Sequence, residues 1–267
     1  MDISILKSLL CNSVNTIKYL EEVDSTNNYA KSLGLESIDD QLPILITTNN
    51  QTKGKGRMGR VWKSEPGENI AMSLLLKAPD GFSNYSSTTL LSALAVVKAI
   101  KDITSLSCLI KWPNDVIYDT KKICGILTEM ISIGNSNYII VGIGINTNSN
   151  LFPDEIKDKA TSLYIATGKK ISREELIAKS INYFMDYYNA LIKINDLSFI
   201  KEEYNSLLIS KDKEVILSSA NIPFPENPYI SRGIDSNGGL LVESKNGQTF
   251  SVTSGEVSVR GLLGYAK

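Results

Sequence analysis

Five cations crowd the stretch from Lys53 to Lys63: Lys53, Lys55, Arg57, Arg60 and Lys63, with no acid among them. Three glycines, Gly54, Gly56 and Gly59, are interleaved with the spacing G-x-G-x-x-G. Positive charge on a glycine-rich loop suits a phosphate or a carboxylate, because backbone and side chains can both approach the anion. The spacing also matches a dinucleotide fingerprint, which requires a strand, the glycines and then a helix. Here Pro66 and Gly67 stand where that helix should run, and the next apolar run starts at Asn69. Asp80 lies about where a ribose-binding acid would, but no helix separates the strands, so the dinucleotide reading fails. No G-K-[ST] closes the motif, so a P-loop fails too.

Other segments carry residue types of the same chemistry. They are DSTN (24–27), Gln51, KWPND (Lys111 to Asp115), KKICGIL (Lys121 to Leu127) and GIGIN (Gly142 to Asn146). Glycines inside a strand, as in GIGIN, often mark the close approach of a ligand. The chain has no histidine at all. That excludes Ser-His-Asp and Cys-His catalysis and every imidazole metal site. Chemistry here must run on Lys, Arg, Asp, Asn and the substrates themselves.

Positioning these residues takes a sheet. Alternation predicts strands at 15–23, 43–48, 69–77, 106–112 and 138–145, and a hairpin from 116–118 and 122–130 turning near Asp119-Thr120. DSTNNYAKSLG predicts a short helix capped by Ser25 or Thr26 and ended by Gly34. Apolar periodicity predicts helices at 90–103, from Ser172 with Glu175 as a capping box, and at 199–208. The pattern changes near Ser210. Five short strands follow, at 214–217, 229–234, 239–243, 248–252 and 256–260, and they suggest a small barrel. The expected domains are 1–210 and 211–267, without repeats or low-complexity stretches.

A chain of 267 residues with 42% hydrophobic and 21% charged residues is long enough to bury a core without staples. A net charge of −1 makes the basic loop a local device and argues against a nucleic-acid-coating surface. Cys11, Cys108 and Cys124 are scattered among apolar residues and read as buried thiols, not as a disulfide or zinc set. The N-terminus is a poor signal peptide and no run approaches a membrane span, so a cytoplasmic protein without a membrane partner is expected.

The ordered set DSTN, Gln51, GKGRMGR, KWPND, KKICGIL, GIGIN and the closing GEVSVRG resembles the biotin–protein ligase family, from about Asp24 to Arg260. The resemblance implies an α+β fold: a mixed β-sheet with helices, class II synthetase-like, followed by an SH3-like β-barrel. It implies that biotin and ATP, with Mg2+, form biotinyl-5′-adenylate, and that biotin then passes to a lysine of a biotin carboxyl carrier protein domain. The residues agree with such a reaction. A carboxylate meeting an α-phosphate needs fixed cations and no protein nucleophile.

Arg57 and Lys122 are the candidates for those cations, assisted by Lys55 and Arg60; the matching family positions contact biotin and the adenylate phosphate. Asp115 is the candidate for orienting or deprotonating the acceptor lysine. By the resemblance Ser25, Thr26, Asn27 and Gln51 hydrogen-bond the ureido ring, and Trp62 stacks on adenine. Asn114 and Asn146 are nucleotide-side residues, and Arg260 reaches ATP from the barrel. Gly54, Gly56, Gly59, Gly125 and Gly144 line the binding surface, and no carboxylate cage for a metal is apparent. The glycine loop is expected to be mobile without ligand and ordered with it.

Two departures stand out. Lys55 and Met58 occupy positions of a loop that most often reads GRGRxGR, so Lys55 keeps a charge but loses the arginine fork. DST begins at residue 24, so a monofunctional enzyme is expected, without the N-terminal winged helix of many bacterial members and with room for one short helix. The alternatives are a lipoate ligase and an adenylate-sensing DNA-binding regulator. The ureido-type polar set disfavours the first, and the missing helix-turn-helix disfavours the second. Exposed strands leave a homodimer open.

Overall fold

The computed structural model describes all residues except 12, 34–38, 63–64, 83, 220–223, 225–226, 255–257 and 262–267; the side chains of Met58, Ser258 and Arg260 also lie outside the described set. In chain order the elements are α1 (Ile3–Leu9), β1 (Thr16–Val23), α2 (Thr26–Leu33), β2 (Ile44–Gln51), β3 (Gly54–Lys55) and β4 (Val61–Trp62). Next come β5 (Ile70–Lys77), α3 (Ser87–Thr104), β6 (Leu109–Lys111), β7 (Asp115–Tyr118), β8 (Lys121–Ile133) and β9 (Ser136–Ile145). Then follow α4 (Leu163–Thr167), α5 (Arg173–Ile194), α6 (Lys201–Leu207), β10 (Glu214–Ser218), β11 (Tyr229–Ile234), β12 (Leu240–Glu243), β13 (Thr249–Val252) and β14 (Ser258–Gly261).

Seven strands form one sheet in the order β1-β2-β5-β9-β8-β7-β6. The β1–β2 pair is parallel and every other neighbour is antiparallel. Period-two alternation gives the sheet two different faces. Along β9, Ile139, Val141 and Ile143 join the larger core with Leu90, Leu94 and Ile100 of α3 and Phe184 and Tyr188 of α5. Tyr138 and Ile140 face the other way, into a smaller core with Ala30 and Leu33 of α2 and Ile44, Ile46 and Leu75 of the sheet. The next residues on that second face of β9 are Gly142 and Gly144, so the α2 side of the sheet changes from apolar packing to a hollow.

Local signals set the boundaries. Ser172 accepts from the Glu175 backbone at 3.2 Å and opens α5, while Asn195 closes it in a left-handed conformation. Asp119 and Thr120 both have positive φ, 45° and 65°, as a two-residue hairpin turn between β7 and β8 requires. The expected N-terminal helix is α1, capped by Asp2 and packed by Leu6 into the larger core.

The last five strands form a separate antiparallel sheet, β13-β12-β11-β10-β14. Its apolar face, with Val215, Leu217, Ile234, Leu240 and Val242, continues the core beneath α6. Trp112 locks the two sheets together, its indole N–H donating to the Gly238 carbonyl at 3.0 Å. The architecture is thus α+β, a mixed sheet with helices followed by a small SH3-like β unit. One expectation is corrected: Cys108 and Cys124 are buried, but Cys11 is exposed. It follows the short helix α1, which leaves Ile5 and Leu9 at the surface as well. Burial drives the Cys108 thiol up to about 12, and Cys124 higher still, so neither is a nucleophile at neutral pH.

Candidate active site

The floor of the site is written in the strand register. Ala71 of β5 pairs with Gly144 of β9, which pairs with Gly125 of β8. One row on, Ser73 pairs with Gly142, and Gly142 with Leu127. Small residues side by side on three strands leave a trough on the α2 face. Two side chains lie in it. A Cβ on Gly144 would come within 2.8 Å of the Trp62 indole, and one on Gly125 within 2.8 Å of Lys122 Nζ. A Cβ on Gly142 would collide with Asn27 Oδ1. These glycines therefore serve close approach, as their placement inside a strand suggested.

At one end of the trough sits the start of α2. Ser25, Thr26 and Asn27 are buried, at 2%, 3% and 4% exposure, which is rare for a polar run unless its groups are paired. Thr26 N donates to Gln51 Oε1 at 3.0 Å, and Thr26 Oγ1 lies 3.3 Å from the same oxygen. Ser73 Oγ lies 2.7 Å from Thr26 Oγ1 and 2.6 Å from Asn27 Oδ1. Asn27 Nδ2 donates to Glu129 Oε2 at 2.8 Å.

At the other end the glycine loop folds into a miniature hairpin. Gly54 pairs with Trp62 and Lys55 with Val61, around a 3-10 turn at Arg57–Gly59. Gly59 has φ 73°, a left-handed conformation that glycine adopts without steric cost. The hairpin carries Arg57 inward, where it donates to Asn114 Oδ1 at 3.1 Å and to the Ser254 carbonyl. Burial pulls the Arg57 pKa below its ordinary value, and the charge of Asp115 opposes that pull. Lys122 Nζ pairs with Asp115 Oδ1 at 2.6 Å and stands 5.5 Å from the centroid of the Trp62 ring.

Two adjoining cavities result. The narrower, about 50 Å³, is lined by the polar end, by the glycine floor and by Lys55, Gly56, Arg57, Trp62, Asn114 and Lys122. The wider, about 320 Å³, shares Gly56, Arg57, Trp62, Asn114 and Lys122 and adds Arg60, Asp115 and Asn146. Polar recognition thus grades into concentrated positive charge along one groove. An anionic group placed between Arg57 and Lys122 would meet both cations at once, as a reaction that accumulates negative charge requires.

Most of the residues expected from sequence converge here, and a few do not. Gly54 is buried in the hairpin and Gly59 sits exposed at its turn; neither is among the residues lining these two cavities. Lys55 reaches Asn28 Oδ1 at 2.8 Å, tying the hairpin to α2. Arg260 lies in β14 opposite Ile216, but its side chain is outside the described residues. The C-terminal sheet enters the site instead through the Ser254 carbonyl on Arg57.

Four residues escaped the sequence reading: Ser73, Glu129, Gly142 and Lys159. Ser73, Glu129 and Gly142 are neighbours only through strand pairing, and Gly142 alone carried a signal, the glycine alternation of GIGIN. Lys159 lines the wider cavity because its carbonyl accepts from Lys122 N at 2.8 Å. Nothing in its loop sequence announces that contact.

A metal finds little here. Among the described residues no three His, Cys, Asp or Glu side chains cluster. Asp115 is the one carboxylate on the wider cavity, and it is already paired with Lys122. A magnesium ion that accompanies ATP would enter as the partner of the nucleotide phosphates.

Known proteins resemble this chain in sequence and in fold. The family model "Biotin/lipoate A/B protein ligase family" matches residues 19–146, and "Biotin protein ligase C terminal domain" matches residues 223–260. The bifunctional ligase/repressor BirA of Bacillus spizizenii is 36% identical over 232 residues, covering 86% of this chain and 70% of its own. The biotin--[acetyl-CoA-carboxylase] ligase of Paracoccus denitrificans is 27% identical, covering 86% of this chain and 95% of its own. Among solved structures, the biotin protein ligase from Aquifex aeolicus in complex with biotin and ATP superposes with a TM-score of 0.79 at 32% identity, over 92% of this chain and 99% of that one. From motifs, sheet, groove and relatives together, the chain belongs to the biotin protein ligase family.

Proposed function

We propose that this chain is an ATP-dependent ligase that activates biotin as biotinyl-5′-adenylate and passes the biotinyl group to a lysine of a biotin carboxyl carrier protein domain. The observation that carries the reading is the continuous groove, with its buried polar end at Ser25–Asn27 and Gln51 and its cationic end at Arg57 and Lys122. A ureido ring needs both donors and acceptors, which the first end supplies. The valeryl carboxylate then lies toward the second end, beside the nucleotide. Lipoate offers no ureido ring to such a set, and nothing in the groove favours it.

In the first step a biotin carboxylate oxygen attacks the α-phosphorus of ATP, and the bond to the β-phosphate oxygen breaks, releasing pyrophosphate. No base is needed, because the carboxylate is already ionised. The obstacle is repulsion between two anions. One cation at 4 Å offsets about 4 kcal/mol of it at an effective dielectric near 20. Arg57 and Lys122 stand where both anions must meet, with Arg60 and Lys159 farther along the nucleotide side. Trp62, resting on Gly125 and Gly144 and lining both cavities, offers its ring to the adenine. Asn114 and Asn146 complete the nucleotide wall.

In the second step the neutral Nζ of the acceptor lysine attacks the carbonyl of the anhydride, and AMP leaves. An unperturbed lysine, with a pKa near 10.4, is neutral only about once in a few thousand at pH 7. Asp115 would trade its pairing with Lys122 for the incoming ammonium, orient it and help remove its proton. Residues 1–210 make up the catalytic domain in this reading and residues 211–267 the C-terminal domain. No helix among the described residues is long and apolar enough to cross a membrane; the need for ATP favours a cytoplasmic location in this reading. The test is direct: purified protein, biotin, ATP, magnesium and a carrier domain, scored for biotin on the carrier. Lipoate on the carrier, with no biotin, would sink the reading.

A further inference from the structure

Beneath the polar end lies a charged pair that neither step uses. Lys31 Nζ is 2.7 Å from Glu129 Oε1, and both side chains are roughly one-third exposed or less, at 35% and 26%. The other oxygen, Glu129 Oε2, accepts from Asn27 Nδ2 at 2.8 Å. The same Nδ2 donates to the Leu127 carbonyl at 3.2 Å. A carboxylate and a carbonyl can only accept, so both hydrogens of the Asn27 amide are committed and its orientation has one solution. Oδ1 therefore points the opposite way, toward Ser73 Oγ and over Gly142, where the missing Cβ makes room. That is the floor of the narrow cavity, and Gly142 and Asn27 both line it.

Gln51 is oriented by similar logic. Its Oε1 accepts from the Thr26 backbone N–H, which turns Nε2 toward Gly54 while Gln51 lines the narrow cavity. The cavity thus holds a fixed acceptor from Asn27. A cyclic urea presents the complement, a ring N–H.

We propose that Glu129 is a positioning residue: it holds the Asn27 amide so that an acceptor faces the bound ring, and so selects a ring N–H at that point. Lys31 balances the carboxylate that does so. The proposal rests on the ligase reading and deepens it. It concerns recognition of the ring and not the reacting atoms, so its signature is a change in biotin KM and in ring discrimination with turnover preserved. A flipped amide would set N–H against N–H, and a site built around a hydrogen bond discriminates strongly against a ligand that cannot make it.

The test uses biotin-dependent pyrophosphate exchange by the full chain and by Glu129→Leu and Glu129→Gln. Glu129→Leu should raise the KM for biotin about tenfold or more, the scale of a lost charge-assisted hydrogen bond. Its kcat and ATP KM should stay within about twofold. Glu129→Gln, which can accept from Nδ2 or donate to Oδ1, should fall between. The second readout uses the two biotins methylated singly at either ureido nitrogen. The wild-type chain should reject one of them more strongly, and Glu129→Leu should shrink that preference by about tenfold. A merely structural role would not move the preference.

An unchanged biotin KM and preference in a folded Glu129→Leu overturns the proposal, as does an equal loss for ATP and biotin. If Glu129→Leu does not fold, Glu129→Gln with an unchanged preference overturns it in the same way. A wild-type chain that does not exchange pyrophosphate with biotin sinks the ligase reading. An active wild type with insensitive Glu129 variants sinks this proposal alone.

Discussion

The two ends of the groove are built differently. At the polar end Ser25, Thr26 and Asn27 are buried, sit on a helix docked to the sheet and are cross-bonded through Gln51, Ser73 and Glu129. At the cationic end Arg57 and Arg60 ride on a two-by-two-residue hairpin with an exposed glycine turn, held by Asn114, the Ser254 carbonyl and the Lys55–Asn28 bond. Recognition of a small rigid ring needs donors and acceptors fixed in advance. Enclosing a reactive anhydride needs a part that can open and close. The contrast assigns the two tasks to a sheet and to a loop. Lys122 stands at the junction: it belongs to the sheet by its backbone and to the loop by its contact with Trp62.

Breaking the junction should have the largest effect. Lys122→Ala should lower biotin-dependent pyrophosphate exchange about 100- to 1000-fold, the scale of removing a preorganised charge-stabilising donor, with circular dichroism and Tm close to wild type. Full exchange activity would refute its role.

The next test separates the ends with one methyl group each. Gly142→Ala pushes on Asn27 and should raise the biotin KM about tenfold or more while sparing the ATP KM. Gly144→Ala pushes on the Trp62 indole and should act mainly on the ATP KM, by about three- to tenfold. Identical effects of the two substitutions would dissolve the distinction between the ends.

A more selective effect, confined mainly to one step, is expected from Asp115→Asn. Transfer from preformed adenylate to the carrier should slow about 100-fold, the lower end of the range for a lost general base, while adenylate formation falls less. Single-turnover quench experiments resolve the two steps, and equal slowing of both would remove Asp115 from the second.

Hydrogen exchange sharpens the comparison further. Amides of residues 54–62 should gain protection with biotin and ATP together, and those of α2 should change little. Equal exchange in the hairpin with and without ligand would count against a closing loop. The smallest effect belongs to Lys55→Met, which loses the tie to Asn28. About a two- to threefold rise in either KM is expected, in line with an exposed charge-assisted bond.

Much of this was legible in the chain itself. Ser172 caps α5, the Asp119-Thr120 turn closes its hairpin, and five short C-terminal strands run where turn residues separate them. All of these are local effects, settled within a few residues by backbone sterics and hydrogen-bond chemistry. The absence of histidine excluded whole classes of catalysis, and the order of the motifs placed Lys122, Arg57 and the Ser25–Asn27 run in one site. Cys11 departs from expectation for a related reason: apolar neighbours in sequence do not bury a residue just past the end of a short helix that lies at the surface.

The sequence alone determined which chemistry was available and which segments would carry it, because residue type and short-range spacing decide charge, hydrogen-bonding capacity and local backbone preference. Only the tertiary structure decided how those segments meet. Ser73, Gly142 and Glu129 come together through the register of β5, β9 and β8, Lys159 through one backbone bond to Lys122, and the C-terminal sheet through the Ser254 carbonyl on Arg57. Register and domain contacts follow from burying a shared core, a property of the whole chain and not of any stretch of it.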